Sequence, residues 1–129
     1  MTHTATAHSV EYTGAKTVFA DIDIDSGNIS IASIKKLINK KTKAIIIVHM
    51  AGRSCELKEI LKICKIHKIK LIEDCAHGLG TKYMKKHVGN FGMSGCFSFY
   101  PTKQITTGEG GALITNDFDL YKKVKTLNF

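Results

Sequence analysis

The 129-residue chain has no tryptophan, a single proline (Pro101) and a single arginine (Arg53). Its longest apolar run is the five residues Ala44–Val48. A membrane-spanning helix needs roughly 20 such residues, so a helical span is excluded. The opening Met1-Thr-His-Thr-Ala-Thr6 lacks the basic and apolar regions of a secretory signal. The expectation is a soluble, cytoplasmic protein with no membrane partner. The near-absence of arginine bears on the formal net charge of +8, because the other 18 basic residues are lysines. Surfaces that read nucleic acid lean on the planar arginine fork. The lysines here sit at 35, 36, 40, 41, 58, 62, 65 and 68 without interleaved aromatics, which is the pattern of a solvated surface. No nucleic-acid partner is expected, although such a surface also attracts a nucleotide diphosphate. Cysteines 55, 64, 75 and 96 lack the Cys-x-x-Cys spacing of a zinc or redox site. They read as small core residues of a reducing compartment, and no metal is expected.

What is present is an ordinary globular composition, 43% hydrophobic, of a length that suits one domain. Thr4 to Tyr12 predicts a short helix with Gly14 at its end. Thr17-Val-Phe-Ala-Asp21 predicts a buried strand, followed by a polar turn around Ser26-Gly27. Ser30 suits an N-cap for a helix from Ile31 to about Lys40. Ala44–Val48 has the look of a strand covered on both faces. The next helix starts from Ser54 or Cys55, and Leu57, Ile60, Leu61, Cys64 and Ile66 are expected in the core. Leu71-Ile72 then forms a strand that delivers Asp74. This β-α-β-α-β alternation predicts an α/β fold, a mostly parallel sheet between helical layers. A hairpin near Lys85-Lys86, strands at Gly95–Phe99 and Ala112–Thr115, and a helix capped by Asp117 complete the chain.

The stretch Gly95-Cys-Phe-Ser-Phe-Tyr-Pro-Thr-Lys103-Gln-Ile-Thr-Thr-Gly-Glu-Gly-Gly111 carries the chemistry. Pro101 stops the strand, because it has no N–H to donate to a ladder. Lys103 follows, and then a glycine-rich turn. Open α/β sheets place their ligands at such strand ends. Taken alone, Lys103 reads first as a solvated loop lysine in a lysine-rich chain. Upstream, however, Leu71-Ile-Glu-Asp74-Cys-Ala-His77 ends another strand in carboxylates, with an imidazole three residues on. A lysine and an acid meeting in one crevice are what pyridoxal phosphate requires, the acid serving its pyridinium nitrogen. Asp74 also has the simpler reading of a helix cap.

Ile72–His77 and Gly95–Gly111 together resemble the signature of the DegT/StrS-type sugar aminotransferases, which are fold-type-I enzymes dependent on pyridoxal phosphate. Met1–Thr6, Tyr12–Asp23 and Asn116-Asp117 extend the resemblance over all 129 residues. It implies a three-layer α/β/α fold, and that residues 1–129 are the incomplete, cofactor-binding large domain of a longer enzyme. The family's first cofactor segment, with its phosphate loop, and its C-terminal small domain are expected to lie outside this chain. The resemblance further implies Lys103 as the Schiff-base lysine and later proton carrier, and Asp74 at the pyridine nitrogen. It puts His77 near the phenolic oxygen, Ser98 at the phosphate and His3 stacked on the ring. The implied reaction passes an amino group from glutamate to a nucleotide-linked keto sugar, in a homodimeric parent. Some relatives are dehydratases with histidine in place of that lysine, and Lys103 points away from them. The rival readings are an inactive remnant of such an enzyme and, further off, a basic nucleic-acid-binding domain.

Overall fold

The computed structural model describes residues 1–127. Helix α1 (Thr4–Glu11) leads through a long irregular segment to α2 (Ile31–Leu37). Strand β1 (Ala44–Val48), a short 3-10 turn at Met50–Gly52, α3 (Leu57–His67) and β2 (Lys70–Asp74) follow. A two-stranded hairpin, β3 (Lys82–Tyr83) and β4 (Lys86–His87), precedes β5 (Ser94–Ser98), β6 (Gly111–Ile114) and α4 (Phe118–Leu127). The main sheet has the order β1-β2-β5-β6. β1, β2 and β5 run parallel, and β6 closes one edge antiparallel to β5. The fold is therefore α/β with a mostly parallel sheet, as the alternation of elements implies. Among the described residues no helix is long and apolar enough to cross a membrane.

Alternation along the strands sorts the two faces. Ile45 and Ile47 of β1 and Leu71 of β2 bury against Ile34 of α2 and Leu57, Ile60, Ile63 and Cys64 of α3. Ile46, Val48, Ile72 and Asp74 point to the other face and are only half-buried. Coverage of β1 is thus complete on one side only. The second face receives α1, whose Thr6 hydroxyl donates to Asp74 at 2.8 Å.

Several expected boundaries move for local reasons. Thr17–Asp21 is not a strand, and Val18 and Phe19 are 61% and 68% exposed. The backbone at its end is taken by the start of α2: Asp21 N–H donates to Ser33 Oγ, and its carbonyl accepts from Ser30 N–H. Ser30 caps α2 through Ser33 N–H, as expected. The helix stops at Leu37 rather than near Lys40, because Asn39 bonds the Leu37 carbonyl and the Lys41 N–H and builds a competing turn. Neither Ser54 nor Cys55 caps α3: Glu56 occupies the position, while the Cys55 thiol donates to the Val48 carbonyl. Ile66 is 65% exposed, and Ile63 takes the core place expected for it. The hairpin turn falls at Met84-Lys85, both at positive φ, as a two-residue loop demands.

Candidate functional site

The site lies where the sheet's parallel strands end. Asp74 closes β2, and its register partner on β5 is Cys96. Two residues beyond Cys96 on the same face is Ser98, the last residue of β5. The 99–110 loop begins there and carries Lys103. That loop is tied back over the neighbouring strand end, because Gln104 Nε2 donates to the His77 carbonyl at 3.0 Å. Thr106 and Thr107 bond the Phe99 carbonyl and close the loop at its root. Strand pairing and one side-chain amide thus bring the Lys103 segment alongside the Asp74–His77 turn.

Asp74 is a half-buried carboxylate held by neutral donors. Oδ2 accepts from Thr6 Oγ1 at 2.8 Å and Oδ1 from Ala76 N–H at 3.0 Å. Among the described residues no cation lies within ion-pair distance of it, and none of their carboxylates lies within that distance of the Lys103 ammonium. The simpler reading of Asp74 as a helix cap does not apply, since a turn and not a helix follows β2. An oriented carboxylate lacking a counter-cation and an unpaired lysine, both at strand ends, match the donor set that pyridoxal phosphate needs.

The remaining expected residues make the following contacts. His77 Nδ1 accepts from Ala51 N–H at 3.4 Å, which leaves the ring proton on Nε2. Ala51 itself has a left-handed φ of 51°. Ser98 Oγ accepts from Tyr100 N–H, so its own proton is available to an acceptor. His3 is the N-cap of α1, with Nδ1 accepting from Ala5 N–H. It sits in the same helical turn as Thr6, whose N–H bonds the His3 carbonyl.

Sequence reasoning missed what holds Asp74 from behind. Glu73 faces the opposite side of β2 and is fully buried. Its Oε2 accepts from His49 Nε2 at 3.0 Å and Gly89 N–H at 2.7 Å, and its Oε1 from Phe91 and Gly92 N–H, both at 2.7 Å. Burial pushes the Glu73 carboxyl up, but the His49 side chain and the three backbone donors together outweigh it. The net pKa is below the ordinary carboxylate value. Buried His49 accepts from Cys55 N–H at Nδ1, which fixes the proton on Nε2. His49, Glu73 and Cys75 offer ligand atoms within 4.8 Å of one another, the geometry of a candidate metal site. Both imidazole nitrogens and both carboxylate oxygens are already engaged, and burial raises the Cys75 thiol well above its ordinary value. The His49–Glu73 pair serves as a structural pin.

A strand-end site of this kind, on an open and mostly parallel sheet, defines the class of α/β proteins that act at the carboxyl ends of their strands. Within that class the chain belongs to the DegT/DnrJ/EryC1/StrS aminotransferase family, which it matches over residues 1–129. It is 42% identical to the GDP-perosamine synthase of Escherichia coli O157:H7 over 95% of this chain and 34% of that protein. It superposes on Helicobacter pylori PseC, an aminotransferase of pseudaminic acid ("pseudoaminic acid") biosynthesis, with a TM-score of 0.92 and 44% identity. That match covers 96% of this chain and 33% of PseC. The E. coli GDP-4-keto-6-deoxy-D-mannose-3-dehydratase with bound hydrated PLP gives a TM-score of 0.91 at 34% identity, covering 97% of this chain and 32% of the enzyme. The chain thus spans about a third of the length of these relatives.

Proposed function

We propose that residues 1–129 are the cofactor-anchoring centre of the large domain of a pyridoxal-phosphate-dependent aminotransferase acting on a nucleotide-linked keto sugar. One observation carries the reading most directly: Asp74, oriented by two neutral donors and with no cation in ion-pair distance among the described residues, stands beside the loop that holds Lys103. The open apolar residues Val18, Phe19, Ile24, Leu113 and Phe118 support a place within a larger, homodimeric enzyme. The amino donor is glutamate, the acceptor a keto-sugar nucleotide, and the compartment the cytoplasm.

Each residue has a defined task. Lys103 Nζ would hold the cofactor at its aldehyde carbon and, once released by the amino donor, would take and return the proton at the substrate carbon bearing the nitrogen. The carboxylate of Asp74 would keep the pyridine nitrogen protonated. His77 would donate to the phenolic oxygen and the Ser98 hydroxyl to the phosphate. His3, fixed by its own capping bond, would lie against the ring. When bound, pyridoxal phosphate supplies an electron sink for the developing carbanion. Free lysine ionises near pH 10.4, so lowering it to 7 by environment alone would cost roughly 4–5 kcal/mol. Anchoring the cofactor through Lys103 avoids carrying that ammonium in the resting state.

The test is turnover of a keto-sugar nucleotide with glutamate by the parent enzyme. Lys103→Ala should abolish it. Asp74→Asn should retain the cofactor at saturating concentration but turn over roughly 10²–10³-fold more slowly, the scale of one lost electrostatic partner in the transition state. Unchanged turnover in Asp74→Asn would overturn the assignment.

A further inference from the structure

Thr6 is far from Asp74 in sequence, yet its hydroxyl lies 2.8 Å from Asp74 Oδ2 in a partly buried contact. It is the only tie from α1 to the Asp74 carboxylate among the described side-chain bonds. The helix that supplies it buries none of its residues, so apolar packing does little to hold α1 in place. A hydroxyl donating to a carboxylate in so exposed a helix has little value as a stabilising contact. Its value is directional: with Ala76 N–H on Oδ1 and Thr6 on Oδ2, both oxygens are fixed and the carboxylate cannot rotate about its last bond without losing both.

We infer that Thr6 is a positioning residue for the cofactor-facing carboxylate. Its hydroxyl sets the plane in which Asp74 meets a protonated ring nitrogen. The inference rests on the proposed function, because it needs Asp74 to face that nitrogen. It adds that the first turn of α1 works as one unit. The Thr6 N–H bonds the His3 carbonyl, and His3 Nδ1 caps the same turn at Ala5. Displacing Thr6 therefore also displaces the imidazole assigned to the ring face. Sequence alone gives no sign of this, since a threonine in a short helix looks like any other polar helix residue.

The readout is the dissociation constant of pyridoxal phosphate, titrated into apo parent enzyme and followed by its visible absorption. Melting temperature is recorded for every variant. Thr6→Val keeps the shape and removes the donor, and should weaken binding roughly 10-fold, the scale of one hydrogen bond to a charged group. Thr6→Ser keeps the donor and should stay within about twofold of wild type. If Thr6→Val does not fold, Thr6→Ala makes the same comparison without a buried methyl beside the carboxylate. In an Asp74→Asn background, removing the hydroxyl should have little further effect, because its charged acceptor is gone. The inference is overturned if Thr6→Val binds like wild type while Asp74→Asn binds weakly, a result that leaves the proposed function standing. It is also overturned if Thr6→Ser loses as much as Thr6→Val, or if the loss persists in full beside Asp74→Asn. Unchanged binding together with unchanged turnover in Asp74→Asn removes the proposed site and this inference together.

Discussion

Replacing Glu73 with glutamine perturbs the strand that carries Asp74 without touching Asp74. The carboxylate accepts four hydrogen bonds, two at each oxygen, and every partner is a donor. A glutamine side chain keeps one acceptor oxygen and turns an NH₂ group toward the other two donors. Two charge-assisted bonds are lost, and the amide NH₂ confronts two N–H donors at a fully buried position. At ~1.5–3 kcal/mol for each bond to a charged group, the expected loss is about 3–6 kcal/mol. For a domain of this size that corresponds to a fall in Tm of roughly 10–20 °C. Urea unfolding of wild type and Glu73→Gln measures the difference. Hydrogen exchange at Gly89, Phe91 and Gly92 shows whether the loop they belong to has come free. A loss under ~1 kcal/mol, with those amides still protected, would refute the role given to the network. The same group sets a pH dependence. Its folded pKa lies below the ordinary value of 4.5, so the folded state binds fewer protons than the unfolded chain. The stabilisation is complete above that ordinary value and is lost as the pH falls from it through the lower folded pKa.

Other consequences are more local. A Cβ on Gly95 would come within 2.7 Å of the Gly89 carbonyl oxygen, so Gly95→Ala should force β5 away from the 88–92 loop. The expected destabilisation is roughly 2–3 kcal/mol, read as a lower urea midpoint. Burial pushes the Cys55 thiol up to about 12 and raises Cys64, Cys75 and Cys96 above their ordinary values. Iodoacetamide at pH 8 should therefore label the folded protein far more slowly than the urea-unfolded chain, by mass spectrometry. Fast labelling of Cys55 or Cys75 in the folded state would contradict the packing described.

The parts of this molecule that were legible in its sequence are those written in local pattern. Five apolar residues in a row marked β1, the spacing of Leu57, Ile60 and Cys64 marked α3, and Ser30 and Asp117 marked caps that the structure contains. The strand-end positions of Asp74 and Lys103 were legible because Asp74 closes an apolar strand and Lys103 comes shortly after another, with Pro101 between. What escaped depends on contacts between distant segments. Thr17–Asp21 has a strand's composition, but Ser30 and Ser33 claim its backbone. Glu73 and Asp74 are adjacent carboxylates, and only the pleat of β2 sends one into the core and the other toward the site. The tie between Thr6 and Asp74, and that between Gln104 and His77, join residues 68 and 27 positions apart. Hydrophobic periodicity contains no record of such pairs.

Peptide mapping of the lysine that holds the cofactor tests the central claim most directly. The parent enzyme is loaded with pyridoxal phosphate, reduced with borohydride, digested and sequenced by mass spectrometry. The account predicts one stoichiometric phosphopyridoxyl label, on Lys103, absent from Lys103→Ala. A label scattered over the surface lysines, with Lys103 unmodified and transamination intact, would contradict it.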